Sequence, residues 1–153
     1  MIKTLGHNHG LFVIRYHKVI EQSDVIINDI NKYEVLLKLN NKNVITYGKN
    51  TLKFYNYIQK NNLNYGLISV NNLLDIDLNV LKDLEESSTL IVYDEVIKTG
   101  SLGEKLLNNE IIRTKNIKVK HYSLPNGYLV NGTEEEILKY YNLNIANILK
   151  EEE

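Results

Sequence analysis

Between residues 32 and 150, short apolar runs alternate with segments whose apolar residues recur every three or four positions, and this alternation limits the fold more than any other feature. The runs at 33–39, 44–47, 65–70, 90–92 and 117–122 have the length and composition of strands. Helical segments lie between them. One starts at Thr51, carries Leu52, Tyr55 and Ile58 on one face and ends at Asn61 and Asn62; another follows an Asp77 cap with Leu78, Leu81 and Leu84. A third begins near Ser101 with Leu102, Leu106 and Leu107. Thr133 and Glu136 make a capping box for a fourth that carries Ile137, Leu138 and Tyr141, and Asn144 opens a fifth with Ile145, Ile148 and Leu149 facing inward. Strands separated by helices of 10 to 13 residues require right-handed crossovers, hence a mostly parallel sheet covered on both faces. The link at 40–43 is short and turn-rich, so the first strand is predicted to lie antiparallel beside the second.

The stretch 89–107, TLIVYDEVIKTGSLGEKLL, shows the unit in full. Leu90, Ile91 and Val92 suit a strand buried on both faces. Asp94 and Glu95 follow at its carboxyl end, where ligands or neighbouring bodies are met in open α/β sheets. Gly100 and Gly103 then bracket a turn into the next helix. Adjacent carboxylates on a strand end point to opposite sides, so Asp94 and Glu95 cannot face each other as an acid and base pair, and a packing or interface role is expected.

Other chemistry is sparse. The 153 residues suffice for one core, and a net charge of −1 gives no drive toward nucleic acid or an anionic membrane. Cysteine is absent, which excludes disulfides and thiolate metal sites. No apolar run approaches the roughly 20 residues that span a bilayer, and the N-terminus has no signal pattern, so a soluble, cytoplasmic protein is expected. His7 and His9 sit two apart in a glycine-flanked loop with no further ligands and read as a solvated turn. Residues 47–51, YGKNT, enter a helix N-terminus and can be read as a plain βα turn or as an anion-binding loop. Neither dinucleotide nor P-loop glycine motifs occur. No serine sits in a nucleophile elbow, and His17 and His121 have no evident orienting carboxylate.

Two segments carry a family resemblance. Residues 94–106, DEVIKTGSLGEKL, resemble the EE-x(4)-GG-x-G segment of transketolase-type C-terminal domains, with Ser101 in place of the second glycine. Residues 124–144, LPNGYLVNGTEEEILKYYNLN, are similar without a gap to the tail of the 1-deoxy-D-xylulose 5-phosphate synthase family, matching at Pro125, Gly132, Thr133, Glu135 and Leu143. Upstream, RYHK at 15–18 occupies the place of that family's RYPR, and 44–48 fits its strand entering the C-terminal domain. The sequence NNLLDID at 71–77 departs from the family's RF-x-KPLD.

The resemblance implies an α/β fold with three layers, α/β/α, around a five-stranded mixed sheet, mostly parallel with one antiparallel edge strand. It divides the chain into a remnant of a preceding pyrimidine-binding-type domain at 1–18, a linker at 19–31 and a transketolase C-terminal-like domain at 32–153. The family enzyme is a homodimer that uses thiamine diphosphate and magnesium to join pyruvate to glyceraldehyde 3-phosphate, on the way to isoprenoids. By the same resemblance the cofactor, its metal and the activating glutamate belong to domains upstream of this chain, whose partners are those domains and a second subunit. Catalytic and metal-ligating residues are therefore expected to be none here, and the chain alone inactive. Lys18, at the place of the family's phosphate-contacting arginine, is the one candidate substrate residue. Arg15, Asp94, Glu95, Gly100 and Gly103 are candidates for an interface between domains. Transketolase and the 2-oxo acid dehydrogenase β subunit are the alternatives within the superfamily, and a stand-alone interaction module the alternative outside it.

Overall fold

A computed structural model describes residues 33–73 and 76–150. The expected domain remnant at 1–18, with His7, His9, Arg15, His17 and Lys18, and the linker at 19–31 lie outside those residues. Five strands form one sheet: β1 (Tyr33–Leu37), β2 (Lys42–Tyr47), β3 (Gly66–Val70), β4 (Thr89–Ile97) and β5 (Lys118–Leu124), in the order β1-β3-β2-β4-β5. β2, β3, β4 and β5 run parallel, and β1 is the antiparallel edge strand. The helices are α1 (Lys49–Lys60), α2 (Leu102–Leu107), α3 (Glu110–Thr114), α4 (Glu134–Tyr140) and α5 (Ile145–Lys150), with a 3-10 turn at Asn79–Asp83.

Strand pleat divides the core in two. Leu90 and Val92 of β4 join Ile45, Ile68, Leu81, Leu102, Leu106 and Ile112 on one face. Ile91 and Tyr93 join Val44, Leu67, Phe54, Ile58 and Ile148 on the other. α1, α4 and α5 thus cover one side, and the 3-10 turn, α2 and α3 the other, which is the three-layer α/β/α arrangement read from the sequence. Each fully buried aliphatic or phenyl side chain contributes about 1.5–3 kcal/mol. Asparagines finish the helices: Asn62, Asn116 and Asn142 follow α1, α3 and α4 with φ of 51°, 52° and 56°, a left-handed turn that asparagine tolerates well.

Several local expectations are corrected. β1 does not pair with β2; it pairs with β3, which lies between them. The link from β1 crosses the start of β3 at Gly66, where an added Cβ would stand 2.9 Å from the Leu39 Cα and 3.1 Å from the Lys38 carbonyl oxygen. Asn43 Oδ1 accepts from the Asn40 amide (3.0 Å) and Asn40 Oδ1 from that of Lys42 (2.8 Å), which holds the link as a corner instead of a hairpin. Only α1, with 12 residues, has the crossover length expected. It starts at Lys49, and its buried face is Asn50, Thr51, Phe54 and Ile58, with Phe54 in the core where Leu52 was expected. The segment after Asp77 is only a 3-10 turn, because the Lys115 ammonium takes the carbonyls of Lys82 and Leu84 and Leu84 turns extended. Leu107 is exposed at the end of α2, and α3, which the sequence did not suggest, supplies Ile112 instead. Among the described residues no helix is long and apolar enough to cross a membrane.

Candidate functional site

After β2 the chain passes through α1 to β3; after β4 it passes through α2 and α3 the other way, to β5. The two connections cover opposite faces, so the carboxyl ends of β2 and β4 diverge at a topological switch point, where ligands are met in open α/β sheets. The register sets Ile45 beside Val92. Two residues on, Tyr47 comes level with Asp94, and the turn at Gly48 and Lys49 follows beside Glu95.

Asp94 and Glu95 point to opposite faces, as adjacent strand residues must. Asp94 is fully buried. Its carboxylate accepts from the backbone amides of Gly103 (2.9 Å) and Leu102 (3.3 Å) at the start of α2, and meets His121 Nε2 at 2.8 Å. The expectation that His121 lacks an orienting carboxylate is thereby corrected. Val92 lies opposite His121 in the parallel register, so Asp94, two residues further, shares the histidine's face. Burial pushes the Tyr47 phenol well above its ordinary value, helped by the charge of Asp94 and a hydrogen bond to it. Ser101 caps α2 by accepting from the Glu104 amide (3.3 Å), and its Oγ lies 3.4 Å from His121 Nε2. The Gly103 Cα rides on the imidazole, where a Cβ would fall 2.3 Å from Cδ2. Gly100 is different: its φ of +76° makes the turn and a Cβ there would meet nothing within 4 Å.

On the other face Glu95 meets Lys49 at 3.2 Å and Lys53 at 3.9 Å, and both lysines reach on to Glu134 at the start of α4. Hydrogen bonds from Lys49 and Lys53 hold the Glu134 carboxyl down to about 2, with their charges adding to the effect. Burial opposes the charge on Lys49, but its bonds to Glu134 and Glu95 outweigh this and its pKa rises. Four charges from α1, β4 and α4 thus close the switch point and neutralise one another.

This arrangement does not form a serine–histidine–carboxylate relay. Ser101 and Asp94 both approach the same nitrogen of His121, while Nδ1 is buried without a hydrogen-bond partner, so no proton can be relayed from serine through imidazole to carboxylate. Of the two readings of residues 47–51, the plain βα turn fits, since the Lys49 ammonium is already committed to two carboxylates. No group of three metal-ligating side chains occurs among the described residues. An open cleft of about 740 Å³ lies alongside, lined by Lys53, Glu134, Leu138, Lys139 and asparagines of the α4–α5 corner. The links His121–Asp94 and Lys49–Glu134 join residues 27 and 85 apart and were not visible as sequence motifs. The only available signal was the strand register, which requires the sheet order.

No protein-family model matches the chain. It is similar to the 1-deoxy-D-xylulose-5-phosphate synthase of Clostridium tetani (strain Massachusetts / E88), at 28% identity over 124 residues that make up 78% of this chain and 20% of the relative. The chain therefore spans about a fifth of that protein's length. Among solved structures it is similar to one described as a split gene transketolase, inactive beta4 tetramer, with a TM-score of 0.63 and 15% identity over 82% of this chain and 42% of the other. The resemblance to the 1-deoxy-D-xylulose 5-phosphate synthase family is borne out, and the α/β fold with its mixed sheet is one shared with a transketolase.

Proposed function

We propose that this chain is the C-terminal part of a thiamine diphosphate-dependent transferase of the 1-deoxy-D-xylulose 5-phosphate synthase type, a supporting domain that is inactive alone. The observation that carries this reading is the closed switch point of a chain similar to the synthase: the crevice where such a sheet would take a ligand holds Lys49, Glu95, Lys53 and Glu134, ion-paired with one another. The described residues do not fit thiamine diphosphate and magnesium. They offer no cluster of three metal-ligating side chains, and Lys49 and Lys53 at the switch point are neutralised by carboxylates. No catalytic step is assigned to them.

In this reading pyruvate and glyceraldehyde 3-phosphate react on domains upstream, in a cytoplasmic homodimer, toward isoprenoid precursors. Lys18 keeps the positive charge of the family's phosphate-binding arginine but not its two-pronged fork, so it holds the aldehyde's phosphate as a point charge. At the interface between domains, Arg15, Glu95 and Gly100 make the contacts, while Asp94 and Gly103 fix the shape of the turn from beneath.

The test is a chimera in which residues 33–153 replace the aligned region of the Clostridium tetani synthase, assayed for product from pyruvate and glyceraldehyde 3-phosphate. An active chimera, together with no heat of thiamine diphosphate binding to the chain alone, is the expected result. A folded but inactive chimera, or cofactor binding by the isolated chain, overturns the reading.

A further inference from the structure

The carboxyl end of the sheet carries an apolar crest. β4 runs three residues past the level where β2 ends, and there Val96 and Ile97 are 43% and 45% exposed. Ile97 pairs with Leu124, the last residue of β5. The segment 125–133 then arches from this point and is tied down at both ends beside β4. At its start Asn126 exchanges bonds with Thr99, at 3.3 Å to the amide and 3.0 Å to the hydroxyl. At its finish Glu134 joins the lysines that hold Glu95. Within the arch Tyr128, Leu129 and Val130 are exposed, the tyrosine fully. Five apolar side chains at one end of a small domain expose on the order of 500 Å², the size at which a surface patch usually has a partner.

The surrounding charges narrow the partner's chemistry. Lys49, Lys53, Glu95 and Glu134 neutralise one another. The rim therefore offers no unpaired basic cluster from among them to an anionic membrane or nucleic acid, and an apolar polypeptide segment is the complementary surface.

Topology names the segment. Because β1 is antiparallel, its first residue, Tyr33, lies beside Val70 at the carboxyl end of β3, so the chain enters the domain at the same end as the crest. From β1 to β4 is three strand spacings, roughly 15 Å. The 16 residues between Tyr16 and Tyr33 can span on the order of 50 Å. Residues 11–16, LFVIRY, hold the longest apolar run within that reach on the entering side, ahead of the shorter runs at 19–20 and 25–27. We propose that the crest of Val96, Ile97 and Tyr128–Val130 is the seat of residues 11–16 of the same chain. The contact rests on topology and exposure, so it stands or falls independently of the synthase reading; under that reading it is the joint between this domain and the one before it.

The full chain has no cysteine, so Gly10→Cys places a single nitroxide label next to the segment without altering its apolar side chains. Amide signals of Val96, Ile97 and residues 128–130 are expected to lose most of their intensity, equally in isotope-labelled protein diluted with unlabelled, spin-free chain. Val13→Lys in the same background should restore that intensity, with a dispersed spectrum showing that the sheet remains folded. Unchanged signals at the crest overturn the proposal, as does broadening that survives Val13→Lys. Broadening that appears only when spin-labelled, isotope-free chain is mixed with isotope-labelled, spin-free chain also overturns it and assigns the crest to a second copy.

Discussion

Asp94 on β4 and His121 on β5 meet at 2.8 Å, their side chains 0% and 6% exposed, and the same carboxylate receives the first amides of α2. One side chain therefore ties together two strands and the helix that connects them. A carboxylate in that position both accepts charge-assisted bonds and opposes the positive end of the helix.

Replacing Asp94→Asn keeps the shape but removes the charge and turns one acceptor into a donor facing the amide of Gly103 or Leu102. A loss of about 2–4 kcal/mol in unfolding free energy is expected, because buried donors are left unmatched. Urea unfolding followed by circular dichroism measures it. A loss under about 0.5 kcal/mol, the range of an ordinary surface substitution, would show that the clasp does not support the fold.

Gly103→Ala drives a methyl group into the His121 ring, which has β4 and α2 around it and little room to retreat. Overpacking of this kind costs about 1–3 kcal/mol. The double variant Gly103→Ala, His121→Ala should be less destabilised than the sum of the two single changes, since the smaller side chain at 121 makes room for the methyl. Additive losses in a thermal melt series would rule out the ring contact as the cause.

How far this region could be read beforehand depended on the range of the interactions. The alternation of 90–92 with 102–106 rests on local periodicity, and so does the Thr133–Glu136 capping box, which forms as expected. The position of β1 depends on a close crossing at Gly66, whose lack of a side chain signals many possible things in a sequence. The same holds for His121. Its carboxylate partner became visible only when β5 was placed beside β4 with Val92 opposite the histidine. The length of the helix after Asp77 was overestimated, since Lys115, 31 residues beyond Leu84, bonds the carbonyls of Lys82 and Leu84 where the 3-10 turn ends.

Glu134 supplies a pH dependence with a definite sign. Its folded pKa of about 2 lies below the ordinary 4.5, so its stabilising contribution is present above pH 4.5 and is lost as pH falls through about 2. The side chain is 54% exposed, so the pairing is screened and contributes about 0.2–1 kcal/mol. Glu134→Gln should therefore lower stability by that amount at pH 7 and by progressively less as pH falls below 4.5 and through about 2, with a smaller difference in high salt. Urea titrations of both proteins across this range decide it, and a difference that stays the same from pH 7 to pH 2 would contradict the assignment.

At the alkaline end a half-buried phenol, Tyr47, and a buried one, Tyr93, act in the opposite direction. Burial raises the pKa of Tyr47, with the charge and hydrogen bond of Asp94 adding to it; burial also raises that of Tyr93, with the charges of Glu95 and Glu134 following. A folded pKa above the unfolded value near 10 means that both residues favour the folded state below pH 10 and that this contribution is lost as pH rises beyond it. Tyr93 has a further reason to stay neutral, since its hydroxyl donates to the Leu143 carbonyl at 3.1 Å and an ionised phenol could not. Phenolate absorbance in an alkaline titration should then show the exposed tyrosines ionising first. Tyr47 and Tyr93 should follow only as the circular dichroism signal of the sheet is lost, and Tyr93→Phe should remove one late-ionising phenol. Ionisation of all the tyrosines in a single step near pH 10, with the sheet intact, would mean that neither phenol is held neutral by the fold.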